Sequence, residues 1–482
     1  MRELTKGGQL KFLKRAELDK IHFSVLEVLE KTGIKVESRE AREIFGEGGC
    51  EVDHKKEMVR IPGYLVDESI RKAPKSIRLC GQNKKNDVIL EGRKNIFGPG
   101  SGPVKMLDLE TEEKRECKLS DCENFSKLSD ALPNLDFVMS GVSPTDVPSK
   151  VIGLYEQLAA MTNTSKHVVL YVYHGKELTE TQIKIAEKIA GGEEELRKRP
   201  IATFYDEPLS PRVFGCEYVE ALLAWCRKGL PIIWAPCPVG GATAPVTLAG
   251  HVVQGNAESL AGNILVQLEN PGTPFIFGFT PQHIDMRSAL TVYGSAECRL
   301  MGIIQAQMSD YYQIPLFGTG GVTDSKVIDE QASIEATMSL FTAALSGQNL
   351  IHDVGYMESG LSASPSFLVI CNEIIGYIKR MMRGTKVRKE TLAIDAISEI
   401  PCGGDYLTSK HTRQFFREEY SLPDLMDRSS WKKWVSEGKK SLKQKAKEKA
   451  KSILRAHEVL FPKDTKEEIR GMIKDKERRL IK

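Results

Sequence analysis

Eight short apolar runs recur along the chain, each breaking at its C-terminal end into Gly, Pro, aromatic and polar residues, with a helix-length segment after each. They end in IFGPGSGP (96–103), FVMSGVSP (137–144), VVLYVYHG (168–175), IATFYDEP (201–208), IIWAPCPVGG (232–241), FIFGFTP (275–281), LFGTGGVTD (316–324) and LIHDVGY (350–356). A continuous apolar run, as opposed to an alternating one, marks a parallel strand buried on both faces. The segments between are amphipathic. The clearest predicts a helix over 247–269, with Leu248, Val252, Leu260, Ile264, Leu265 and Leu268 on one face before Asn270-Pro271-Gly272 stops it. Parallel neighbours need a crossover, so this alternation predicts an α/β fold, specifically a (β/α)8 TIM barrel. It runs from Ile96 to about Arg383, somewhat longer than the roughly 250 residues typical of such barrels. Functional residues are then expected at the C-terminal strand ends and in the loops that follow.

The pattern divides the chain into an N-terminal capping segment (1–90), a catalytic barrel (91–383) and a helical C-terminal extension (384–482). The first part reads as a helix over 15–32, then a short helix and strands around Val52, Val59 and Ile61. Too small for a catalytic unit, it is expected to cap the barrel or line a homo-oligomer contact. The extension is helical and charged, with a Gly-rich break at 402–406.

Composition adds exclusions. Of the 482 residues, 41% are hydrophobic and 28% charged, ordinary for a soluble protein, and no apolar run approaches the roughly 20 residues a membrane span needs. The N-terminus lacks the apolar core of a signal peptide, so a cytoplasmic location is expected. Ten cysteines contain no CxxC pair, which argues against zinc. The net charge of +3 is unevenly placed: Lys432 to Arg455 holds ten Lys or Arg against two Glu. Val435, Leu442, Ala446, Ala450, Ile453 and Leu454 give that run a packing stripe, so it reads as a solvated helix face. No aromatic interleaving or recognition motif points to nucleic acid.

The mouth of the predicted barrel is rich in aromatics: Phe97, Tyr171, Tyr173, Phe204, Tyr205, Trp234, Phe277, Phe279, Phe317 and Tyr356. Strand alternation lets about half of them face inward. Its polar groups are His174, Asp206, Glu207, Gln282, His283, Thr323, Asp324, His352 and Asp353. Ring faces attract a quaternary ammonium, which has no N–H to donate. Gly318-Thr319-Gly320-Gly321 follows the seventh run, where many barrels bind phosphate, yet Asp324 and Asp329 close by would repel an anion. Nucleophile elbow, HExxH, Walker loop and dinucleotide fingerprint are all absent.

Four phrases carry a family resemblance: APCPVGGATAPVTLAGHVVQGNAESLAG (235–262), YGSAECRLM (293–301), FGTGGVTDSKVIDEQASIEA (317–336) and HDVGYMESGL (352–361). With HTRQFF (411–416) and LPDLMDRSSW (422–431), they closely resemble the trimethylamine methyltransferase (MttB) superfamily over nearly the whole chain. The resemblance implies a (β/α)8 enzyme that passes a methyl group from a methylated amine to the cobalt of a separate corrinoid protein. The founding members carry pyrrolysine, whereas every residue here is a standard amino acid, the corresponding position falling within 320–326. The resemblance is thus to the non-pyrrolysine branch, whose members demethylate quaternary amines such as glycine betaine, proline betaine and carnitine.

A quaternary ammonium leaves as a neutral tertiary amine, so no catalytic acid or base and no bound metal is required. Cob(I)alamin is expected from the partner, with no cofactor held tightly. The expected substrate set is Phe97, Tyr205, Trp234, Phe279, Gln282, His283, Thr319, Gly320, His352 and Tyr356, with His283, His352, Gln282 or the amides near Thr319 and Gly320 facing a carboxylate. The corrinoid protein is expected to dock around 240–245 and 356–364, the basic run steering at most. Two other classes stay open: a phosphate-dependent lyase on the same fold, and a non-catalytic betaine-binding protein.

Overall fold

The structure is a computed structural model and describes residues 4–172 and 175–481. Tyr173 and His174, expected at the mouth, lie outside the described residues. The fold is α/β. Its centre is eight short parallel strands, β1 (Ile96–Phe97), β2 (Phe137–Val138), β3 (His167–Tyr171), β4 (Ala202–Asp206), β5 (Ile232–Trp234), β6 (Phe275–Ile276), β7 (Phe317–Thr319) and β8 (Leu350–His352). Each falls on one of the eight apolar runs, and a helix follows each before the next strand or the C-terminal extension.

The regular ladder does not run continuously round the eight strands. It divides into one sheet ordered β6-β5-β4-β3-β2 and another ordered β7-β8-β1. The two sheets touch at both edges. Phe277 and Leu316 form a single parallel bridge beyond β6, with the Phe317 N–H donating to the Phe277 carbonyl at 2.8 Å. At the other edge the Asp136 N–H donates to the Phe97 carbonyl at 2.7 Å, and the Asp136 carboxylate takes the Phe97 N–H at 3.2 Å. Each junction is brief for a local reason: Gly278 turns to φ 147° directly after the bridge, and β1 and β2 are two residues long.

Strand alternation sorts the side chains into two sets. Ile96, Phe137, Val169, Tyr205, Ile233, Ile276, Phe317 and Leu350 share one interior cluster. Their sequence neighbours Phe204, Ile232, Trp234, Phe275 and Phe277 pack instead against the surrounding helices. The hairpin Ser76–Leu79 with Val88–Glu91 closes the N-terminal end, adding Ile77, Leu79, Val88 and Leu90 to the interior cluster. It is tied down by N–H donation from Cys80 to the Pro200 carbonyl and from Asn83 to the Ser165 carbonyl, just before β4 and β3.

Helix Leu248–Glu269 corrects the single-faced expectation. Fifteen of its residues are buried, on all sides, because helices Arg15–Glu27, Arg39–Glu47 and Gly63–Lys72 pack over its outer surface. The N-terminal segment is therefore a second layer outside this helix. The basic helix Leu442–Ala456 packs on Pro365–Met382 and Leu119–Ala131, burying Ala446 and Ala450. Among the described residues, no helix is long and apolar enough to cross a membrane.

Candidate active site

A cavity of ≈ 540 Å³ opens at the C-terminal ends of the strands. Its lining comes chiefly from four strand ends: Tyr205 in β4 and Glu207 just after it, Cys237 after β5, Gln282 and Tyr293 after β6, and His352, Asp353 and Tyr356 at β8. Residues 101–102, 289–291, Lys326 and residues 358–361 complete the lining.

His352 is fixed by three contacts. Its ring stacks on Phe317 with centroids 3.9 Å apart, its Nδ1 lies 2.8 Å from the Gly318 carbonyl, and its Nε2 lies 3.2 Å from Asp353 Oδ2. Burial pushes its pKa down to about 4, so the ring is neutral near pH 7. Burial acts oppositely on the acids, pushing Asp353 up to about 7 and raising Glu207. The Tyr205 hydroxyl donates to Glu207 Oε1, and the Tyr205 ring meets His352 edge-on at 6.0 Å. Asp353, pushed up to about 7, holds its proton readily when the aromatic-lined cavity is empty, and burial shifts Glu207 in the same direction. A cation entering the cavity favours their ionised forms.

The remaining walls are held by side-chain hydrogen bonds. The Gln282 amide donates to Cys237 Sγ and, at 2.7 Å, to the Tyr293 hydroxyl. Asp324 takes the Tyr293 and Gly294 N–H groups at 2.8 and 2.9 Å and the Ser359 hydroxyl at 2.8 Å, joining two loops. At Gly100 a Cβ would fall 2.4 Å from Asp353 Oδ1 and 2.7 Å from the Tyr356 hydroxyl, so only glycine permits that approach.

Of the expected substrate set, the cavity brings together Tyr205, Gln282, His352 and Tyr356. The other six lie elsewhere. Phe97, Trp234 and Phe279 sit in the clusters outside the strands. Phe97 does face a cation, but it is the Lys379 ammonium, 5.3 Å from its centroid. Trp234 and Phe279 fill notches in helix Leu248–Glu269, where a Cβ at Gly262 or Gly255 would come within 2.2 or 2.5 Å of their rings. His283 binds the Ser295 hydroxyl at 2.8 Å, bracing the helix that starts at Ala296. Thr319 faces a small cleft with Arg299 and Gln348, and a Cβ at Gly320 would meet Ile351 at 2.9 Å.

Glu207 and Asp353 were legible as polar mouth residues but not as partners of one cavity. Cys237 and Tyr293 lay inside the quoted phrases without being singled out; nothing in the sequence shows that their loops fold back over β8.

The profile of the family described as "Trimethylamine methyltransferase (MTTB)" matches residues 1–480. The chain belongs to this family. Among its relatives are the trimethylamine methyltransferase MttB of Desulfitobacterium hafniense (strain DSM 10664 / DCB-2), 37% identical over 438 residues, with 91% of this chain and 88% of the relative covered. MttB of Methanosarcina barkeri (strain Fusaro / DSM 804) is 34% identical over 463 residues, covering 94% and 92%. The glycine betaine methyltransferase of D. hafniense (strain Y51) is 33% identical over 446 residues, covering 92% of each. In fold, the chain is similar to a crystal structure of the hydroxylamine MtmB complex, at TM-score 0.52 and 13% identity, over 96% of this chain and 100% of the other. This family is one of methyltransferases.

Proposed function

We propose that the protein transfers a methyl group from a quaternary amine, glycine betaine first among them, to cob(I)alamin carried by a separate corrinoid protein. Proline betaine and carnitine are the next substrates in line. The observation that carries the proposal is the meeting of Tyr205, His352 and Tyr356 with the carboxyls of Glu207 and Asp353 on one cavity, an environment suited to a cation without N–H groups. The absence of pyrrolysine and the glycine betaine methyltransferase among the relatives support the quaternary branch. The edge contacts at Phe277–Leu316 and Phe97–Asp136 support a closed (β/α)8 barrel beneath the cavity.

The corrinoid supplies a cobalt(I) nucleophile for the methyl carbon, and the C–N electron pair stays on nitrogen as a neutral tertiary amine departs. No proton is needed at that nitrogen. The chain's own work is positioning: the rings hold the ammonium, Gln282 and Tyr293 fix one wall, and residues 358–361 shape the rim. Positive charge on nitrogen is lost as the bond breaks, so two permanently ionised carboxylates would favour the bound substrate over the transition state. Asp353, which burial pushes up to about 7, can retake a proton as that charge is lost, which lessens the penalty.

The phosphate-lyase reading finds no support in the loop after β7. The Gly320 N–H goes to the His352 carbonyl, Gly321 to Ser339, Thr323 to the Tyr356 carbonyl and Asp324 to Glu335, so these amides are committed within the protein. The test is incubation with reduced corrinoid protein and a panel of methylated amines, following the cob(I)alamin to methylcobalamin spectral change. Glycine betaine is expected to drive it and trimethylamine is not. Equal or faster turnover of trimethylamine would overturn the quaternary-amine reading, and tight betaine binding without methyl transfer would make this a binding protein.

A further inference from the structure

The cavity is electrically lopsided. Its lining holds the buried Asp353, the half-buried Glu207, a rim carboxylate, Glu358, and one rim ammonium, Lys326; the histidine, His352, is neutral. Two other donors near the cavity are committed elsewhere. The Arg299 guanidinium donates to the Tyr293 carbonyl at 2.5 Å and is not part of the lining. The Gln282 amide N–H groups point to Cys237 and Tyr293.

The rim carboxylates are also engaged. Glu358 pairs with Lys114, and Asp324 is taken up by two backbone N–H groups and Ser359. Lys326 is different. It is exposed, its Nζ donates to the main-chain carbonyl of Asp324 at 2.8 Å, and among the described residues it makes no ion pair. An ammonium has three donors on a flexible stem, so it can swing to an anion at the rim without losing a carboxylate partner.

We infer that Lys326 is a specificity-determining residue that takes the carboxylate of a zwitterionic methylated amine while the cationic nitrogen lies among Tyr205, Glu207 and Asp353. This rests on the proposed amine-binding role of the cavity and deepens it: the selected class is betaines, not simple tetraalkylammonium ions. A single flexible point charge also fits the absence of a bidentate arginine clamp, and it tolerates carboxylates at different distances from the nitrogen.

The test is calorimetric binding of glycine betaine and of tetramethylammonium to the full chain, in wild type, Lys326→Met and Lys326→Arg. Lys326→Met is expected to weaken glycine betaine by about tenfold or more, the loss of one charge-assisted hydrogen bond, while tetramethylammonium stays within about twofold. Lys326→Arg should restore most of the betaine affinity. Unchanged betaine binding in Lys326→Met, or equal losses for both ligands, overturns the assignment of Lys326 while leaving the amine-binding cavity standing. Wild type that binds neither ligand overturns the cavity's role, and this inference with it.

Discussion

The Nε2 of His352 lies 3.2 Å from Oδ2 of Asp353, while Nδ1 of the same ring lies 2.8 Å from the carbonyl of Gly318. A carbonyl can only accept, so Nδ1 carries the ring proton and Nε2 of the neutral ring is an acceptor. The hydrogen between Nε2 and Oδ2 then belongs to Asp353. Burial agrees on both sides, pushing the histidine down to about 4 and the aspartic acid up to about 7.

This arrangement predicts a proton-linked affinity. An entering cation favours ionised Asp353, so below about pH 7 binding releases a proton, and affinity for tetramethylammonium should rise by up to about tenfold per pH unit before levelling off. Stability of the empty protein runs the other way. The folded state keeps a proton that the unfolded chain loses near its ordinary value of 3.8, so this contribution is full below that value and is lost as pH rises through about 7. Asp353→Asn, which can still donate to Nε2, should flatten both profiles. Calorimetry in buffers of different ionisation enthalpy would show the proton, and an unchanged pH slope in Asp353→Asn would move the titration to Glu207.

His352→Ala removes the ring stacked on Phe317 and the donor to Gly318. Turnover of the preferred amine is expected to fall by about tenfold or more, the scale of one lost hydrogen bond of roughly 1 to 1.5 kcal/mol. Steady-state kinetics on a variant with wild-type circular dichroism decides the matter; unchanged kcat/KM would reduce His352 to packing.

Much of this architecture is legible in the sequence because a buried parallel strand leaves a continuous apolar run that ends abruptly. All eight strands and the end at which the cavity opens follow from that signal. The phase of each strand does not. Tyr205 and Trp234 both sit on apolar runs, yet one faces the interior and the other the helices. In strands of two to five residues buried on both sides, no polar alternation records which is which. The glycines held a partial clue: Gly255 and Gly262, two turns apart on one helix, are notches for Phe279 and Trp234. The long loops hid Tyr293, Cys237 and the Asp324 junction, because contacts across separate loops have no period.

Trp234 and Phe279 should accordingly report on stability and not on substrate. Both are fully buried, and truncation of either to Ala is expected to cost about 3 to 5 kcal/mol by leaving a cavity beside the Gly262 or Gly255 notch. Denaturant melts should show the loss, while the KM of the remaining folded enzyme stays within about twofold. A selective rise in KM at unchanged stability would return either ring to the binding site.

The basic helix Leu442–Ala456 gives the last prediction, because its lysines are engaged within the molecule. Lys443 and Lys447 pair with Glu112, Lys451 with Glu110, Lys445 with Asp427 and Lys449 with Asp424. Glu110 and Glu112 lie in the turn between strands Lys105–Leu107 and Lys114–Glu116. That hairpin pairs with Ser362–Ala363, which pairs with Tyr356–Met357 at the cavity wall. The helix therefore braces a wall, and little of its charge is left to steer a partner. Reversing Lys443, Lys447 and Lys451 to Glu should speed proteolysis within 108–113, an effect that weakens in high salt as the new repulsion is screened. The slope of corrinoid-protein affinity against salt should stay at its wild-type value. A shallower or inverted slope with the turn still protected would place the docking surface on this helix, away from the loops at 240–245 and 356–364.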